Sequence, residues 1–305
     1  MNDIQKPFDR NLVRLHRDRA AKDRTFDDFL ENEVAERLAD RLLDIKREFS
    51  SVLVLGCKRG RLTKLVRALL PNASITQGDL SPAMVELTSL QTGIPAVVID
   101  EENLEFADHQ FDLVISNLSL HWVNDLPGCL LQIGHKLKPD GLFLASLIGG
   151  DSLASIRSAF LEAEMDLTGG ASPRFSPVLD LREAAALLQR VGLALPVADL
   201  DRINVSYGTG LKLLHDLRGM GEVCALNQGI KHFTSRSTLM AALAKLEVEK
   251  DQNGRLPVNF DILFLTGWRP DSSQQQPLRP GSAKSRLADA LGSFEHGLNE
   301  PTKPS

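Results

Sequence analysis

The chain has 305 residues, of which 43% are hydrophobic, which is enough apolar sequence for a sizeable core. Its net charge of −5 argues against a general nucleic-acid surface, because such surfaces are usually basic. No apolar run approaches the roughly 18–20 residues of a membrane helix, so we expect no integral membrane segment.

Features of the sequence that bear on its cellular setting point to the cytoplasm. The N-terminal residues show neither a signal-peptide pattern nor an arginine-rich transit pattern. The cysteines lie far apart and lack Cys-x-x-Cys spacing, so we expect neither a disulfide framework nor a metal site. They are Cys57, Cys129 and Cys224.

Residues 1–48 are predicted to form an N-terminal helical arm, because apolar residues recur there at helical spacing. Asp27 and Asp28 are suited to cap the second helix of this arm. We expect the basic residues of the first helix to form a solvated face; the alternative is that they cover a cofactor and supply an arginine to its carboxylate. This basic cluster consists of Arg10, Arg14, Arg17, Arg19 and Lys22.

The stretch from Ser51 to Asp79 is predicted to be a strand, a glycine loop, a helix and a second strand. A β-branched and leucine run ends at Gly56, and the loop closes at Gly60. Glycines let the backbone approach a ligand closely, a helix N-terminus presents free N–H groups to an anion, and an acid at a strand tip can accept ribose hydroxyls. The unit predicts a site for an adenosine-containing ligand, with an ordinary βαβ turn as the alternative.

The following elements offer further residues at the same edge of the sheet. Ser81 suits a helix N-cap, and Pro82 suits the first helical position. Met84, in that helix, is expected either to line an adenine pocket or to fill the core. A third strand ends at Asp100 and Glu101, where an acid accepts from an adenine amino group or, equally, faces solvent.

A fourth strand, residues 111–116, leads into Asn117 and His121. Residues after this strand lie at the crevice where open α/β sheets bind ligands. His121 is expected either to pack and hydrogen-bond locally, which is the commoner role, or to act as a general base. A helix and a fifth strand follow, so the alternation predicts a parallel, doubly wound sheet with residues 49–148 as its core.

Residues 149–270 are predicted to add the last strands of the same sheet, together with helices that cap the pocket. Asp151 lies at the start of this section, and Tyr207 is the only tyrosine of the chain. With His121, these are the polar residues that we place nearest an acceptor, as candidate catalytic residues. Residues 271–305 are rich in Ser, Gln and Pro and are predicted to be mostly disordered.

Motifs in residues 50–147 resemble those of class I S-adenosylmethionine-dependent methyltransferases. They are the glycine loop, Asp79, the segment 100–106, Phe111-Asp112-Leu113-Val114 and Leu137-Lys138-Pro139-Asp140-Gly141. The resemblance implies an α/β fold with a doubly wound, mostly parallel, seven-stranded Rossmann-like sheet, N-terminal helices and helical cap insertions. It implies that S-adenosylmethionine is bound by Gly56, Cys57, Gly60, Asp79, Leu80, Met84, Asp100, Glu101 and Asn117.

A closer resemblance, to the complex I assembly factor 5 group, covers nearly the whole chain. The segments that carry it are residues 8–12, 118–127, 149–153, 170–177 and 217–222. It implies an S-adenosylmethionine-binding protein that acts on an iron–sulfur subunit of respiratory complex I, and for the mitochondrial member it implies arginine hydroxylation. The chain is more loosely similar to the malonyl-acyl-carrier-protein O-methyltransferase of biotin synthesis, which stays an alternative.

Two positions depart from the glycine motif of the methyltransferases. Val54 stands where an acid is usual, and the loss of that polar contact costs about 1–3 kcal/mol. Lys58 stands where the middle glycine is usual, and it brings bulk and positive charge towards a sulfonium. We expect Lys58 to turn to solvent and the chain to be an active methyltransferase. The alternatives are a more anionic ligand, or a non-catalytic assembly chaperone with a degenerate cofactor site.

Overall fold

One β-sheet with helices on both faces organises the chain. The computed structural model describes residues 6–23, 26, 28–229, 233–275 and 291–292. The strands are β1 (Ser51–Leu55), β2 (Ser74–Asp79), β3 (Ala96–Val98), β4 (Phe111–Asn117), β5 (Leu137–Gly149), β6 (Ala194–Tyr207) and β7 (Leu256–Trp268). The helices are α1 (Arg10–Lys22), α2 (Phe29–Leu43), α3 (Arg61–Leu69), α4 (Pro82–Thr92), α5 (Leu126–Lys136), α6 (Ala154–Thr168), α7 (Leu181–Arg190), α8 (Gly210–Met220) and α9 (Arg236–Val248).

Within the described residues the sheet has seven strands in the order β3-β2-β1-β4-β5-β7-β6. Strands β1 to β5 pair in parallel, and β7 runs antiparallel to both β5 and β6. The predicted α/β fold with a mostly parallel, seven-stranded, doubly wound sheet is therefore confirmed. The strand order reverses between β1 and β4, which is where such sheets form a ligand crevice.

Strand β1 is apolar from Val52 to Leu55 because both of its faces are buried there. Val52 and Val54 belong to the hydrophobic core on one face of the sheet, and Leu53 and Leu55 belong to the core on the other. Parallel strands that are covered by helices on both sides have sequences that are continuous apolar runs. Val54 therefore occupies a core position, where it is 0% exposed.

Local capping fixes the starts of several helices. The Asp28 side chain accepts from the Glu31 N–H at the start of α2, and Ser81 accepts from the Met84 N–H at the start of α4. Helix α6 begins differently, because Leu153 with a φ of 57° holds its N-cap position. Sequence patterns thus locate the caps made by local side chains and miss the Leu153 cap, which depends on an unusual backbone conformation of a non-glycine residue.

The chain divides into a unit from Met1 to Asp271 and a second unit from Ser272 to Ser305. The predicted disorder of residues 271–305 falls largely on residues outside those described. The predicted segment boundaries after residues 48 and 148 both lie inside the first unit and stay predictions. None of the described helices combines the length and the apolarity that crossing a membrane requires.

Candidate functional site

The glycine loop lies between β1 and α3 and contacts the tip of β2. Gly56 and Gly60 have φ angles of 69° and 83°, in the left-handed region that favours glycine. A Cβ atom on Gly56 would lie 2.1 Å from the Ser119 Oγ, so no side chain fits there. The Lys58 N–H donates to the Asp79 Oδ2 at 3.1 Å and thereby ties the loop to the end of β2.

Arg17 of α1 lies between the acidic side chains at this edge of the sheet. Its Nη1 donates to the Asp79 Oδ1 at 3.1 Å and to the Glu101 Oε1 at 3.0 Å. Its Nη2 donates to the Ser119 Oγ at 2.8 Å. The predicted ribose acid and the predicted adenine-site acid are therefore both bound by a guanidinium of the chain itself.

The ion pairs around Arg17 are removed from solvent. The side chain of Arg17 is 3% exposed, and those of Asp79 and Glu101 are 0% exposed. Burial alone would raise the pKa of Glu101, but Arg17, Arg10 and the Ser119 hydroxyl together lower it to about 2. Arg10 also donates to Asp100 at 2.8 Å. The expectation of a solvated face is therefore wrong for Arg10 and Arg17.

Lys58 is buried against Glu222, which contradicts the expectation that it turns to solvent. Its Nζ lies 2.9 Å from the Glu222 Oε1, and its side chain is 4% exposed. The Glu222 Oε2 lies 2.9 Å from both the His121 Nε2 and the Trp122 Nε1. Although burial raises the pKa of Glu222, the charge of Lys58 and the hydrogen bonds from Lys58 and His121 outweigh it and lower that pKa well below its usual range.

Arg59, the neighbour of Lys58, fixes the C-terminal end of α1 over the loop. Its Nη2 donates to the Ala20 carbonyl at 2.7 Å, and its Nη1 donates to the Asp23 carbonyl at 2.9 Å. A cation at a helix C-terminus is favoured by the helix dipole and pairs the last carbonyls. Arg59 is 8% exposed, so its guanidinium binds the end of α1 rather than solvent.

The predicted cofactor residues do not fit S-adenosylmethionine while α1 is docked. The Asp79 Oδ1 accepts from Arg17 and from the Ser81 N–H at 2.9 Å, and its Oδ2 accepts from the Lys58 N–H. Ribose hydroxyls need these same oxygen atoms. At the glycine loop, Ser119 fills the space beside Gly56. This structure therefore represents a closed state of the predicted cofactor site.

A cavity of about 410 Å³ opens beside Glu222 and its partners His121 and Trp122. Its wall is mostly apolar and aromatic, with charged groups at a few points. Its lining includes His121, Trp122, Arg157, Phe160, Arg174 and Glu222. Such a concave, largely apolar space with few polar groups is typical of a ligand or substrate site.

The three predicted catalytic residues do not meet in this cavity. His121 lines it, whereas Tyr207 and Asp151 are not among the lining residues. Tyr207 is 4% exposed in the core and its hydroxyl has no hydrogen-bond partner among the described residues. Asp151 is exposed, and its N–H donates to the Asp261 carboxylate at 3.0 Å. A role in catalysis stays a prediction for all three.

Four other predicted cofactor residues make packing and structural contacts. Leu80 packs with Phe8, Val13 and Trp122, and Met84 packs with Ala20, Ala21 and Leu87. Cys57 is 2% exposed and donates its N–H to the Gly78 carbonyl. The Asn117 side chain accepts from the Ser146 hydroxyl and donates to the Glu31 carbonyl. Binding by these residues stays a prediction.

The sequence interpretation missed the roles of Arg17, Arg59 and Glu222. One signal was available for Arg17, because Arg10 and Arg17 lie two turns apart and share one face of α1 with Val13. No local pattern singles out Glu222, since its partner Lys58 lies 164 positions away. Among the described residues no cluster of three or more His, Cys, Asp or Glu side chains has the arrangement of a metal site.

Glu31 gives a prediction about stability and pH. Burial first, and then the Asp28 carboxylate, raise the pKa of Glu31 well above its usual range. A raised folded-state pKa stabilises the fold below the unfolded pKa, and that contribution is lost as the pH rises through the folded value. Glutamine imitates the protonated form, so we expect Glu31→Gln to raise the melting temperature at about pH 8 and to change it little at about pH 5.

Thermal melts of both proteins at the two pH values measure the effect of Glu31→Gln. Glu33→Gln on the same helix is the control, because Glu33 is half exposed and pairs with Arg37 at the surface. A variant whose gain is the same at both pH values would contradict the burial of an ionising carboxyl at this position.

Comparisons with known proteins agree with this geometry. Residues 53–145 match the methyltransferase domain family. The crystal structure of the YcgJ protein from Bacillus subtilis superposes with a TM-score of 0.54 over 77% of this chain and 99% of that chain. The two sequences are 14% identical, so the likeness concerns the fold. The fold is that of the class I, Rossmann-like methyltransferases.

Relatives are similar over nearly the whole chain. It is 40% identical over 304 residues to the mitochondrial arginine-hydroxylase NDUFAF5 of Homo sapiens, covering 98% of this chain and 86% of that protein. The protein of the same name from Danio rerio is 38% identical, covering 92% of this chain and 88% of its own. The malonyl-[acyl-carrier protein] O-methyltransferase of Laribacter hongkongensis is 31% identical, covering 90% and 94%.

Proposed function

We infer, from the finding that this chain belongs to the family that contains the arginine-hydroxylase NDUFAF5, that it modifies a protein subunit during assembly of respiratory complex I. The target in this proposal is an arginine of an iron–sulfur subunit. It is changed either by methyl transfer from S-adenosylmethionine or by hydroxylation, which takes one oxygen atom from dioxygen and needs two electrons from an external reductant. The supporting observation is that the similarity covers 98% of the chain, whereas the methyltransferase domain match ends at residue 145. Most residues that line the cavity lie beyond that point.

His121 is the residue that we place nearest the reacting side chain. Its Nε2 lies 2.9 Å from the Glu222 Oε2, so the ionised Glu222 favours a proton on that nitrogen. Its Nδ1 is buried in this structure and has no hydrogen-bond partner among the described residues, so it accepts a proton only from a target that reaches it when the site opens. Glu222 orients the ring in this proposal, and His121 takes a proton from the target as it reacts.

S-adenosylmethionine is the cofactor in this proposal, with Gly56, Gly60, Asp79 and Asp100 as the residues that recognise it. These residues occupy the crevice at the reversal of strand order, which supports the assignment. Because α1 holds the acids in this structure, the proposal requires a state in which α1 has left them.

Deletion of the gene in its native host tests the proposal. We expect less assembled complex I in the deletion strain, restored by the full chain supplied in trans. Mass spectrometry of the purified subunits should show one arginine that is heavier by one oxygen or one methylene in the wild type and unmodified in the deletion strain. Complex I that assembles normally, with every arginine unchanged, would refute the proposal.

A second candidate function is methyl esterification of a carboxylate carried on a thioester. The observation that favours it is the charge of the cavity. Arg174 is paired with Glu164, and Glu222 is paired with Lys58, but Arg157 has no ion pair among the described residues. The unpaired cation attracts an anionic ligand, and malonyl-acyl-carrier-protein methyltransferases are relatives at 31% identity. A biotin requirement in the deletion strain would support this function.

Arg157→Gln distinguishes the two functions. A charge-assisted hydrogen bond contributes about 1.5–3 kcal/mol, so we expect the KM for a malonyl thioester to rise about 10-fold or more if that is the substrate. Under the arginine proposal the same variant should support complex I assembly as well as the wild type does. Arg157→Lys serves as the matched control. It keeps the positive charge, so its KM for the malonyl thioester should stay close to the wild-type value.

A further inference from the structure

We propose that docking of α1 and binding of S-adenosylmethionine are mutually exclusive in this chain, so that the first helix keeps its own cofactor site closed until it is displaced. The inference rests on the proposed function for the identity of the cofactor. It adds that the Arg17 guanidinium competes with the cofactor for the same carboxylates.

The competition follows from the hydrogen bonds of Asp79 and Glu101. Arg17 donates to both carboxylates at 3.1 Å and 3.0 Å, and neither carboxylate is exposed. Arg17 and the Ser81 N–H use both acceptor positions of the Asp79 Oδ1, and the Lys58 N–H uses one of the two on Oδ2. A ribose that binds Asp79 through both hydroxyls needs two positions, so it must remove the guanidinium. The ligand and the docked helix therefore require the same atoms.

Contacts along the whole of α1 show that it is docked by more than this one arginine. At its N-terminal end Phe8 packs edge-on against Trp122 with ring centroids 5.4 Å apart. In its middle the Ser81 hydroxyl donates to Asp18 at 2.6 Å. At its C-terminal end Arg59 binds two main-chain carbonyls. Displacement of α1 must break these contacts together, so docked and released helix are two distinct states.

The proposal reverses the usual effect of a substitution beside a binding site. A ligand that binds only a minor state has an apparent dissociation constant equal to the intrinsic one divided by the fraction of molecules in that state. Weakening the dock enlarges this fraction and so tightens binding. Loss of Arg17 or of Arg59 should therefore strengthen cofactor binding, although neither change adds a contact to the ligand.

Calorimetric titration of the full chain with S-adenosylmethionine tests this expectation. Arg17→Gln removes the competing guanidinium, and Arg59→Ala loosens α1 without touching the acids. We expect each variant to bind at least about 10-fold more tightly than the wild type. Arg14→Gln is the matched control, because Arg14 carries the same charge on the same helix without an ion pair among the described residues, and it should leave affinity unchanged. Asp79→Asn added to Arg17→Gln should abolish the gain.

Hydrogen exchange of the α1 amides gives a readout that does not depend on activity. Saturating S-adenosylmethionine should speed exchange over residues 10–22 of the wild type, because the ligand selects the released state. Binding with unchanged α1 exchange would overturn the proposal, and so would equal or weaker binding by both variants, or no binding by any variant. Failure of the proposed function is separate, since it would appear as normal complex I in the deletion strain whatever the binding results.

Discussion

Glu222→Gln should destabilise the fold by about 3–5 kcal/mol, because removing one partner of a buried ion pair leaves the other charge uncompensated. The uncompensated charge is the Lys58 ammonium, which is 4% exposed and lies 2.9 Å from the Glu222 carboxylate. His121 and Trp122 lose the strength of their charge-assisted hydrogen bonds to the same group. Urea unfolding measures the effect as a lower midpoint at an unchanged slope.

Two further variants show whether the loss comes from the buried pair. Lys58→Met combined with Glu222→Gln removes both charges and should recover a large part of the stability. Glu162→Gln breaks the ion pair with Lys245 at the surface, where the glutamate is 60% exposed, and should cost no more than about 0.5 kcal/mol. A Glu222→Gln cost as small as that of Glu162→Gln would show that Lys58 finds other compensation.

His121→Phe should slow modification of the target by about 10²–10⁴-fold while the protein stays folded, since loss of a positioned general base has effects of this size. Phenylalanine keeps the ring beside Trp122, where the two rings lie 5.5 Å apart, and removes both nitrogens. The measurement is the rate at which the purified protein modifies its subunit, followed by mass spectrometry. Melting curves establish that the fold is retained.

The other two predicted catalytic residues serve as comparisons for His121. Tyr207→Phe deletes a buried hydroxyl that has no partner among the described residues, and Asp151→Asn alters an exposed carboxylate. Neither lines the cavity, so we expect rates within about twofold of the wild type. Equal losses in all three variants would mean that the reacting atoms lie elsewhere than in the cavity.

The sheet could be predicted because its signals are local. The apolar run of β1, the loop bounded by Gly56 and Gly60, and the Ser81 cap each encode structure within a few residues. The alternation of helices and strands then predicts a doubly wound, mostly parallel sheet, but it does not predict that β7 lies antiparallel between β5 and β6. The candidate site was harder to predict from the sequence, because its contacts join residues that are far apart in the chain. Arg17 and Asp79 are 62 positions apart, and Lys58 and Glu222 are 164 positions apart.

The misinterpretation of α1 has a physical reason. Periodicity identifies a helix that buries an apolar face, but α1 also carries many charges and buries Arg17 through ion pairs beside its apolar residues. A sequence shows that charged residues share a face without showing whether acids elsewhere in the chain will meet them. Lys58 presents the same difficulty, because its partner Glu222 follows α8, far along the sequence.

The main-chain bonds at the start of α1 have a consequence for the order in which the protein is made. The Asp9 N–H donates to the Ala225 carbonyl, and the Asn227 N–H donates to the Pro7 carbonyl, each at 2.8 Å. During synthesis α1 is made more than two hundred residues before these partners. Until they are made, α1 remains undocked, and its many charged side chains keep it compatible with water. A chain released before Ala225 leaves its first helix without that anchor.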